Sequence, residues 1–483
     1  MTDGRENRGR IVIVGAGMGG SILAHALSPA WDVTVVEIGD TSHRYGERVV
    51  DAAVPAKTDP HITSGLGGTT QLWHNGLIEV PDEVFAKRWP INKRELLPFY
   101  EEAIAILSGR TRNALVANAR LLADKYALLG FDRALFSEWL FYPKKRTNPW
   151  QYLKVSRRVT LVYGEVCAFG KSDNGRISSV FVERNGQKSV IAADVFVLAA
   201  GALSTPVLLQ KLEMQTLNGT KTNIGYHYED HPSAIVGEVI LKTPLYRLWN
   251  YPCANGNLRL PFTVRIDRLA MSFQLRPAAQ SWIVSPKKRI RSAINELRNN
   301  PLDIRLYFRL LTHIDDIMEV LSFLFNLNLP TKQYILLMVA EHHPSSHQAV
   351  RGDEKNRIVR DWRLDASLID IYRRGIDTLL RKLQRKIESV HLYENWPENI
   401  YSSSHHAGTA RMSDDASTGV CDRNNKVYGF DNLYIGDASA IPATGFSNTG
   451  LTIAALALRL AAYLNRPAVE DGRVGESLEV AQL

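Results

Sequence analysis

The stretch Arg10-Ile11-Val12-Ile13-Val14-Gly15-Ala16-Gly17-Met18-Gly19-Gly20, with Val33-Thr34-Val35-Val36-Glu37 behind it, decides the fold of this chain. An apolar run that stops at Gly15 reads as a buried strand, and the apolar Ser21 to Leu27 reads as the helix that follows. Gly15 permits the tight turn, Gly17 lets backbone amides approach a pyrophosphate, and Gly19-Gly20 lets helix and strand pack closely. The helix N-terminus offers unpaired N–H groups and a positive dipole end to phosphates. Glu37 ends the next strand, about twenty residues on, where a carboxylate can accept from both ribose hydroxyls and so favours an unphosphorylated ribose over NADP. Strand, helix, strand and acid together mark a dinucleotide site. The motif does not separate NAD from FAD.

Bulk composition narrows the rest. The 483 residues are 45% hydrophobic and 22% charged, an ordinary globular balance with room for two or three domains. The net charge is +8, but its cations are scattered apart from Lys287-Lys288-Arg289-Ile290-Arg291, and there is no nucleic-acid motif. Cys167, Cys253 and Cys421 are too few and too far apart for a disulfide framework or a metal cluster, so no metal is expected. The N-terminal residues are polar up to Arg10, and no apolar run approaches transmembrane length, which makes the cytoplasm the expected location.

Further along, Ser28 to Trp31 breaks the first helix and Gly65 to Gly76 forms a second glycine-rich loop. A helix is expected around Leu96 to Leu107. Val159 to Glu183 alternates around Lys171 to Gly175 and reads as a hairpin. Val195 to Gly201 is another buried strand entering a glycine turn, followed by a helix from Ser204 to Leu212 with Pro206 in its first turn. Ala234 to Leu241 and Phe262 to Ile266 suggest a twisted antiparallel sheet, and helical periodicity runs from Arg291 to Leu327 and from Ser367 to Val390. Near the C-terminus, Asn432-Leu433-Tyr434-Ile435-Gly436-Asp437-Ala438-Ser439 delivers Gly and Asp at a strand end, where open α/β sheets bind ligands. Asn448-Thr449-Gly450-Leu451-Thr452 then opens an apolar helical run to Leu464, and Ser404-His405-His406-Ala407-Gly408-Thr409 lies upstream.

With these residues together, the chain resembles the glucose–methanol–choline (GMC) family of FAD-dependent oxidoreductases. The resemblance covers Ile11 to Glu37, Gly65 to Thr70, Val195 to Pro206 with Asp230-His231-Pro232, and His405 to Leu464. The C-terminal block is its specific part, whereas residues 233–402 match only in outline. It implies an α/β fold: a discontinuous Rossmann-like FAD-binding domain plus a substrate domain with an antiparallel sheet and helices. The boundaries expected are 1–80, 151–232 and 403–466 for the FAD-binding parts, 81–150 for a substrate or lid segment, 233–402 for the substrate domain and 467–483 for a loose tail.

Carried over residue by residue, the resemblance assigns the ADP end to Gly15, Gly17, Met18, Gly20 and Glu37. Gly67, Gly68 and Thr69 would wrap the pyrophosphate and ribityl chain, and Val166 would present backbone to the adenine. Ala200, Asp437, Ala438, Asn448 and Thr449 would complete the FAD contacts. His405 would be the active-site base and Asn448 its partner, with His406 the alternative base one residue on. The family's covalent flavin link comes from a histidine just before a tryptophan. Here Leu72 precedes Trp73 and His74 is out of register, so non-covalent FAD is expected.

Histidine suits a base that takes a hydroxyl proton near neutral pH, and an asparagine amide can donate to the same oxygen without competing for the proton. The expected reaction is oxidation of an alcohol to a carbonyl. A sugar, glycoside or polyol is favoured on family breadth and on Trp73, Trp249 and Trp282, with O2 or another redox partner as acceptor and self-association left open. Two rival readings remain: a lyase in which flavin is structural, and a nicotinamide-dependent dehydrogenase. A third reading makes the chain a non-catalytic nucleotide-binding or membrane-docking protein built around the basic helical segment 287–329, against the plainer reading of that segment as a helical lid or subunit contact. His231 reads as a structural turn residue, Asn448 could be a plain helix cap, and His342-His343 reads as surface or pocket lining.

Overall fold

The structure is a computed structural model. It describes the chain apart from residues 1–7, 40–43, 46–48, 54–61, 146, 155, 157, 173–174, 215–222, 246–250, 278–296, 298–302, 306, 309–330, 343–346 and 467–483. The basic run 287–291, most of the segment up to 329, Trp249, Trp282, His343 and the tail therefore lie outside the described residues.

β1 (Arg10–Val14), α1 (Met18–Leu27) and β2 (Asp32–Glu37) form as the opening motif dictates. Two later strands flank this pair on its two sides: β5 (Val159–Tyr163) beside β2, and β9 (Val195–Leu198) beside β1. With β17 (Leu433–Ile435) the parallel sheet has five strands in the order β17-β9-β1-β2-β5. Its strands are nearly continuous apolar runs because both faces are covered; Ile11, Ile13, Val35, Phe196, Val197, Leu433 and Ile435 are fully buried. α1 packs on it, and α7 (Thr449–Leu464) packs against α1. The approach is close: a Cβ at Gly19 would lie 1.9 Å from the Gly436 carbonyl oxygen, and one at Gly20 would lie 2.0 Å from that of Gly15.

The expected hairpin is confirmed only in its second half. β6 (Glu165–Lys171) and β7 (Ile177–Arg184) pair antiparallel and β8 (Gln187–Ala192) extends them, but β5 belongs to the parallel sheet. Alternation alone cannot say which neighbour a strand takes. The substrate-side sheet is antiparallel, with β12 (Phe262–Ile266), β13 (Leu269–Pro277), β14 (Thr331–Ala340), β10 (Pro232–Leu245) and β16 (Ile387–Leu392) in that order. α6 (Ala366–Leu383) covers one face with Tyr372, Gly375, Ile376, Leu379 and Leu383 at helical spacing. The helix expected to reach Val390 ends at Leu383, because Ile387 to Leu392 pairs as an edge strand on β10.

Around the expected helix at Leu96, α3 (Lys93–Ser108) starts with a reciprocal cap between Asn92 and Glu95, and α4 (Arg112–Leu128) follows, capped by Thr111. Before them, α2 (Asp82–Arg88) leads out of the glycine-rich loop. β4 (Leu140–Pro143) pairs with β11 (Gly256–Arg259), and β3 (Val49–Ala53) pairs with β15 (Ile358–Asp361). α5 (Thr205–Met214) is the helix expected after Gly201. Among the described residues, no helix is long and apolar enough to cross a membrane, and no group of His, Cys, Asp and Glu could hold a metal ion.

Candidate active site

The carboxyl ends of β2, β1, β9 and β17 lie side by side in that order, about 4.8 Å per step. They carry Glu37, Gly15, Ala200 and Asp437, a path of dinucleotide length along one sheet edge. Gly15 takes a φ of 109° that favours glycine, and a Cβ there would lie 2.3 Å from the Ala199 carbonyl oxygen. Added Cβ atoms at Gly17 and Gly201 would meet nothing within 4 Å, so these two stretches of backbone are open to a ligand. Met18 begins α1 and is buried behind them.

Glu37 gathers backbone from both glycine loops. Its Oε2 accepts from Ala16 N–H at 2.8 Å, and its Oε1 accepts from Gly65 and Gly39 N–H at 2.9 and 3.1 Å. One carboxylate thus ties the first glycine turn to the second, with capacity left for a hydroxyl. Burial pushes its carboxyl above the usual range, against those backbone hydrogen bonds. Gly164 N–H donates to the Glu37 carbonyl at 2.9 Å, which brings Val166, buried on β6, to this end of the path.

The inner loop docks on both sides. Gly67 N–H donates to the Ala16 carbonyl at 2.9 Å, and a Cβ on Gly68 would lie 3.4 Å from Gly17 Cα. Thr69 follows in a single tight turn, and Trp73 lies over α7, where a Cβ on Gly450 would meet its ring at 2.7 Å. Asn448 stands at the N-cap position of α7, followed by Thr449, yet its side chain makes no capping hydrogen bond. Instead its Nδ2 donates to the Gly76 carbonyl at 3.4 Å. The cap reading therefore fails in favour of an amide turned toward the inner loop.

His405 and His406 occupy a loop anchored on the end of β17: Gly408 and Ala410 donate to the carbonyls of Ala438 and Ser439. Asp230 organises that loop. Its Oδ1 accepts from the backbone N–H of His405 at 2.9 Å and of His231 at 2.7 Å. Its Oδ2 accepts from the hydroxyls of Ser402 and Tyr228 and lies 3.5 Å from His406 Nδ1 and 4.0 Å from Arg360. Arg360 is held in turn by Asp51, with two hydrogen bonds at 2.6 and 3.0 Å. Burial pushes the Asp230 carboxyl up, but His406, His231 and Ser402 outweigh it and hold the group below the usual carboxylate range.

His231 is not a turn residue, contrary to its sequence reading. It is fully buried, its Nε2 sits 2.8 Å from the Ser447 carbonyl, and its ring lies edge-on to His405 at 5.2 Å between centroids. This ring ties the His405 loop to Ser447, the residue before Asn448, so the segments that carry the two expected catalytic residues meet through His231. Burial pulls His405 down to about 3, with the like charges of His231, His406 and His74 adding and Asp230 opposing. The imidazole is thus neutral across ordinary pH. His406 Nδ1 sits 2.7 Å from the Tyr228 hydroxyl. His342 is not on the surface: it is buried against Gln348 and Trp362, and burial pulls it down to about 4.

The Asp437 carboxylate is engaged within the chain. Its Oδ2 accepts from Gly201 N–H and the Thr205 hydroxyl, and its Oδ1 from the N–H and hydroxyl of Ser439, at 2.6 to 2.8 Å. Every acceptor position is used within the chain, so only backbone of Asp437 and Ala438 is left for a ligand. Sequence reading missed Asp230, Tyr228, Ser402, Arg360 and Asp51; only Asp230 had a signal, as the first residue of Asp-His-Pro.

The residues fit a flavin dinucleotide at both ends. Open glycine backbone faces the phosphate path. At the other end, Trp73 Nε1, His405 Nδ1, His406 Nε2 and His231 Nδ1 are buried polar atoms without a protein hydrogen-bond partner, donors and acceptors that a bound ring and substrate could use.

Comparison with known proteins agrees. Residues 10–244 match the FAD dependent oxidoreductase family, and residues 357–457 match the family described as GMC oxidoreductase. A cholesterol oxidase of Mycobacterium tuberculosis (strain ATCC 25618 / H37Rv) is 39% identical over 95 residues, 19% of this chain, and the matched part spans only 16% of that relative. Among solved structures, pyridoxine 4-oxidase from Mesorbium loti superposes with a TM-score of 0.62 at 17% identity, covering 94% of this chain and 98% of that one. An Aspergillus oryzae RIB40 formate oxidase variant gives 0.59 at 16% identity, covering 96% and 99%. At such identities these likenesses show the fold. With the two family matches and the paired glycine loops, they establish that the chain belongs to the FAD-dependent GMC oxidoreductases.

Proposed function

We propose that this protein oxidises an alcohol to a carbonyl, with His405 taking the hydroxyl proton and non-covalently held FAD. The observation that carries the reading is the chain of contacts from His405 through His231 to Ser447, which links the loop of His405 to the residue preceding Asn448. When bound, FAD supplies the hydride acceptor. His405 is already deprotonated near neutral pH, so it can accept a proton without first losing one. Asp230 lowers the cost of the imidazolium that results. The second N–H of Asn448 is a donor for the substrate oxygen, and the N-terminus of α7 favours negative charge in the same place. Leu72, the residue before Trp73, offers no nucleophile for a covalent link.

A sugar, glycoside or polyol remains the proposed substrate class, with O2 or a redox partner taking the electrons. The test is anaerobic addition of an alcohol panel to the purified yellow protein. Loss of flavin absorbance with at least one alcohol is expected. Turnover with an unbleached spectrum contradicts the reading and points to lyase chemistry.

A further inference from the structure

Residues 76–80 lie beside the turn that precedes α7, and they are pinned at two points. Leu77 and Phe141 of β4 exchange backbone hydrogen bonds in both directions, at 2.8 and 2.9 Å. Glu79 is buried, and its carboxylate accepts from Arg112 Nε and Nη2 at 2.6 and 3.0 Å while Lys93 Nζ sits 3.3 Å away. Two cations thus compensate one buried charge and fix the backbone that carries it.

Two consecutive residues of the turn bond to this anchored stretch. Ser447 Oγ donates to the Glu79 carbonyl at 2.8 Å, and Asn448 Nδ2 donates to the Gly76 carbonyl at 3.4 Å. Both acceptors are carbonyl oxygens, so the nitrogen edge of the Asn448 amide is the edge that faces Gly76. A Cβ on Gly76 would lie 3.0 Å from that nitrogen, so a glycine there lets the amide approach. The Asn448 bond is long and its residue only half-buried, whereas Ser447 is fully buried and its bond is short. The neighbour therefore holds the amide more firmly than the amide's own bond does.

Ser447 also reaches the other catalytic segment. Its N–H donates to the Thr444 carbonyl at 3.1 Å, and its carbonyl accepts from His231 Nε2 at 2.8 Å. The His231 ring stands edge-on to His405. All three polar atoms of Ser447 are engaged, and two of them lead to segments far away in the chain.

We propose that Ser447 is a positioning residue: its hydroxyl on Glu79 and its carbonyl on His231 hold the Asn448 amide in register with the His405 imidazole. The inference rests on the alcohol-oxidation reading, in which both side chains meet one substrate hydroxyl. Ser447→Ala removes the link to Glu79 and leaves the carbonyl that His231 uses. The turn is then free to rotate, and a displacement of about 1 Å at a reacting group costs up to about a hundredfold in rate.

The first test is heteronuclear NMR of the oxidised holoenzyme with isotope-labelled asparagine. The Asn448 side-chain signals are identified by their loss in Asn448→Ala. In Ser447→Ala they are expected to shift and to exchange faster with solvent, at unchanged flavin content. Ser447→Cys, which fills the site with a weaker donor, is expected to move them the same way and decides the matter if Ser447→Ala does not fold. The second test is a double-mutant cycle in the limiting rate of anaerobic flavin reduction. Ser447→Ala is expected to slow the parent about tenfold and the Asn448→Ala protein by less than about twofold. Unmoved Asn448 signals, or equal slowing in the two backgrounds, overturns the proposal. If no alcohol bleaches the flavin, the oxidation reading fails and the NMR signals alone decide whether Ser447 positions Asn448.

Discussion

At the Glu37 end of the site, recognition is built from backbone: glycine turns at Gly15 and Gly67, open peptide at Gly17 and Gly201, and one carboxylate gathering three amides. At the His405 end it is built from side chains contributed by distant segments, with Asp230 accepting from His405, His231, Ser402 and Tyr228, and Arg360 anchored on Asp51. The first design tolerates almost no added atoms at Gly15, Gly19 and Gly20, where backbone already meets backbone, and leaves room at Gly17 and Gly201. The second tolerates change in shape better than change in charge. A buried carboxylate held ionised by its neighbours sets both the position and the proton affinity of the imidazoles around it.

The largest effect is expected at the backbone end. Gly19→Val would drive a side chain into the Gly436 carbonyl, 1.9 Å from the first added carbon, and should leave no folded yellow protein on purification. Gly17→Ala meets nothing within 4 Å at an ordinary φ of −71°, so it should fold normally and lose FAD affinity only. Circular dichroism and flavin content separate the two, and equal behaviour would break the distinction between packing glycines and ligand-facing ones.

Asp230→Asn comes next. It should keep flavin bound while slowing flavin reduction by about tenfold to a hundredfold, the scale of a lost charge-assisted hydrogen bond. The pH profile gives the sharper readout. In the parent protein His405 is neutral down to about 3, so reduction should show no acid limb near 6.5. Asp230 raises the proton affinity of His405, so its removal should push that limb still lower. A limb moving upward would contradict the assignment. Glu37→Gln should have the smallest effect: about tenfold weaker FAD binding, measured by titration of the apoprotein. The reduction rate of flavin-loaded protein should be unaltered, which would show that the two ends act independently.

How much was legible follows the same division. β1, α1 and β2 were readable because apolar strands, glycine turns and a terminal acid lie within forty residues, and each has a local physical cause. The last strand and α7 were readable for the same reason. The Asp230 network was not, since residues 51, 228, 360 and 402 carry no local signal and meet only through tertiary folding. Asp437 shows the limit from the other side: it ends the last strand as expected, but two of the four hydrogen bonds that occupy its carboxylate come from Gly201 and Thr205, far away in the chain, and two from neighbouring Ser439. The strand from Val159 was misplaced because alternation reports exposure and not partner, and the helix expected to reach Val390 stopped at Leu383 because pairing with β10 claimed the last residues.

The most direct measurement is stopped-flow reduction of the flavin under anaerobic conditions in His405→Ala and His406→Ala, using an alcohol that bleaches the parent protein. With His405 as the base, His405→Ala should retain flavin and reduce it about 10² to 10⁴ times more slowly, as loss of a general base does. His406→Ala, which loses an imidazole held by Tyr228 and Asp230, should be slowed far less. Undiminished reduction in His405→Ala, or the larger loss in His406→Ala, would contradict the account.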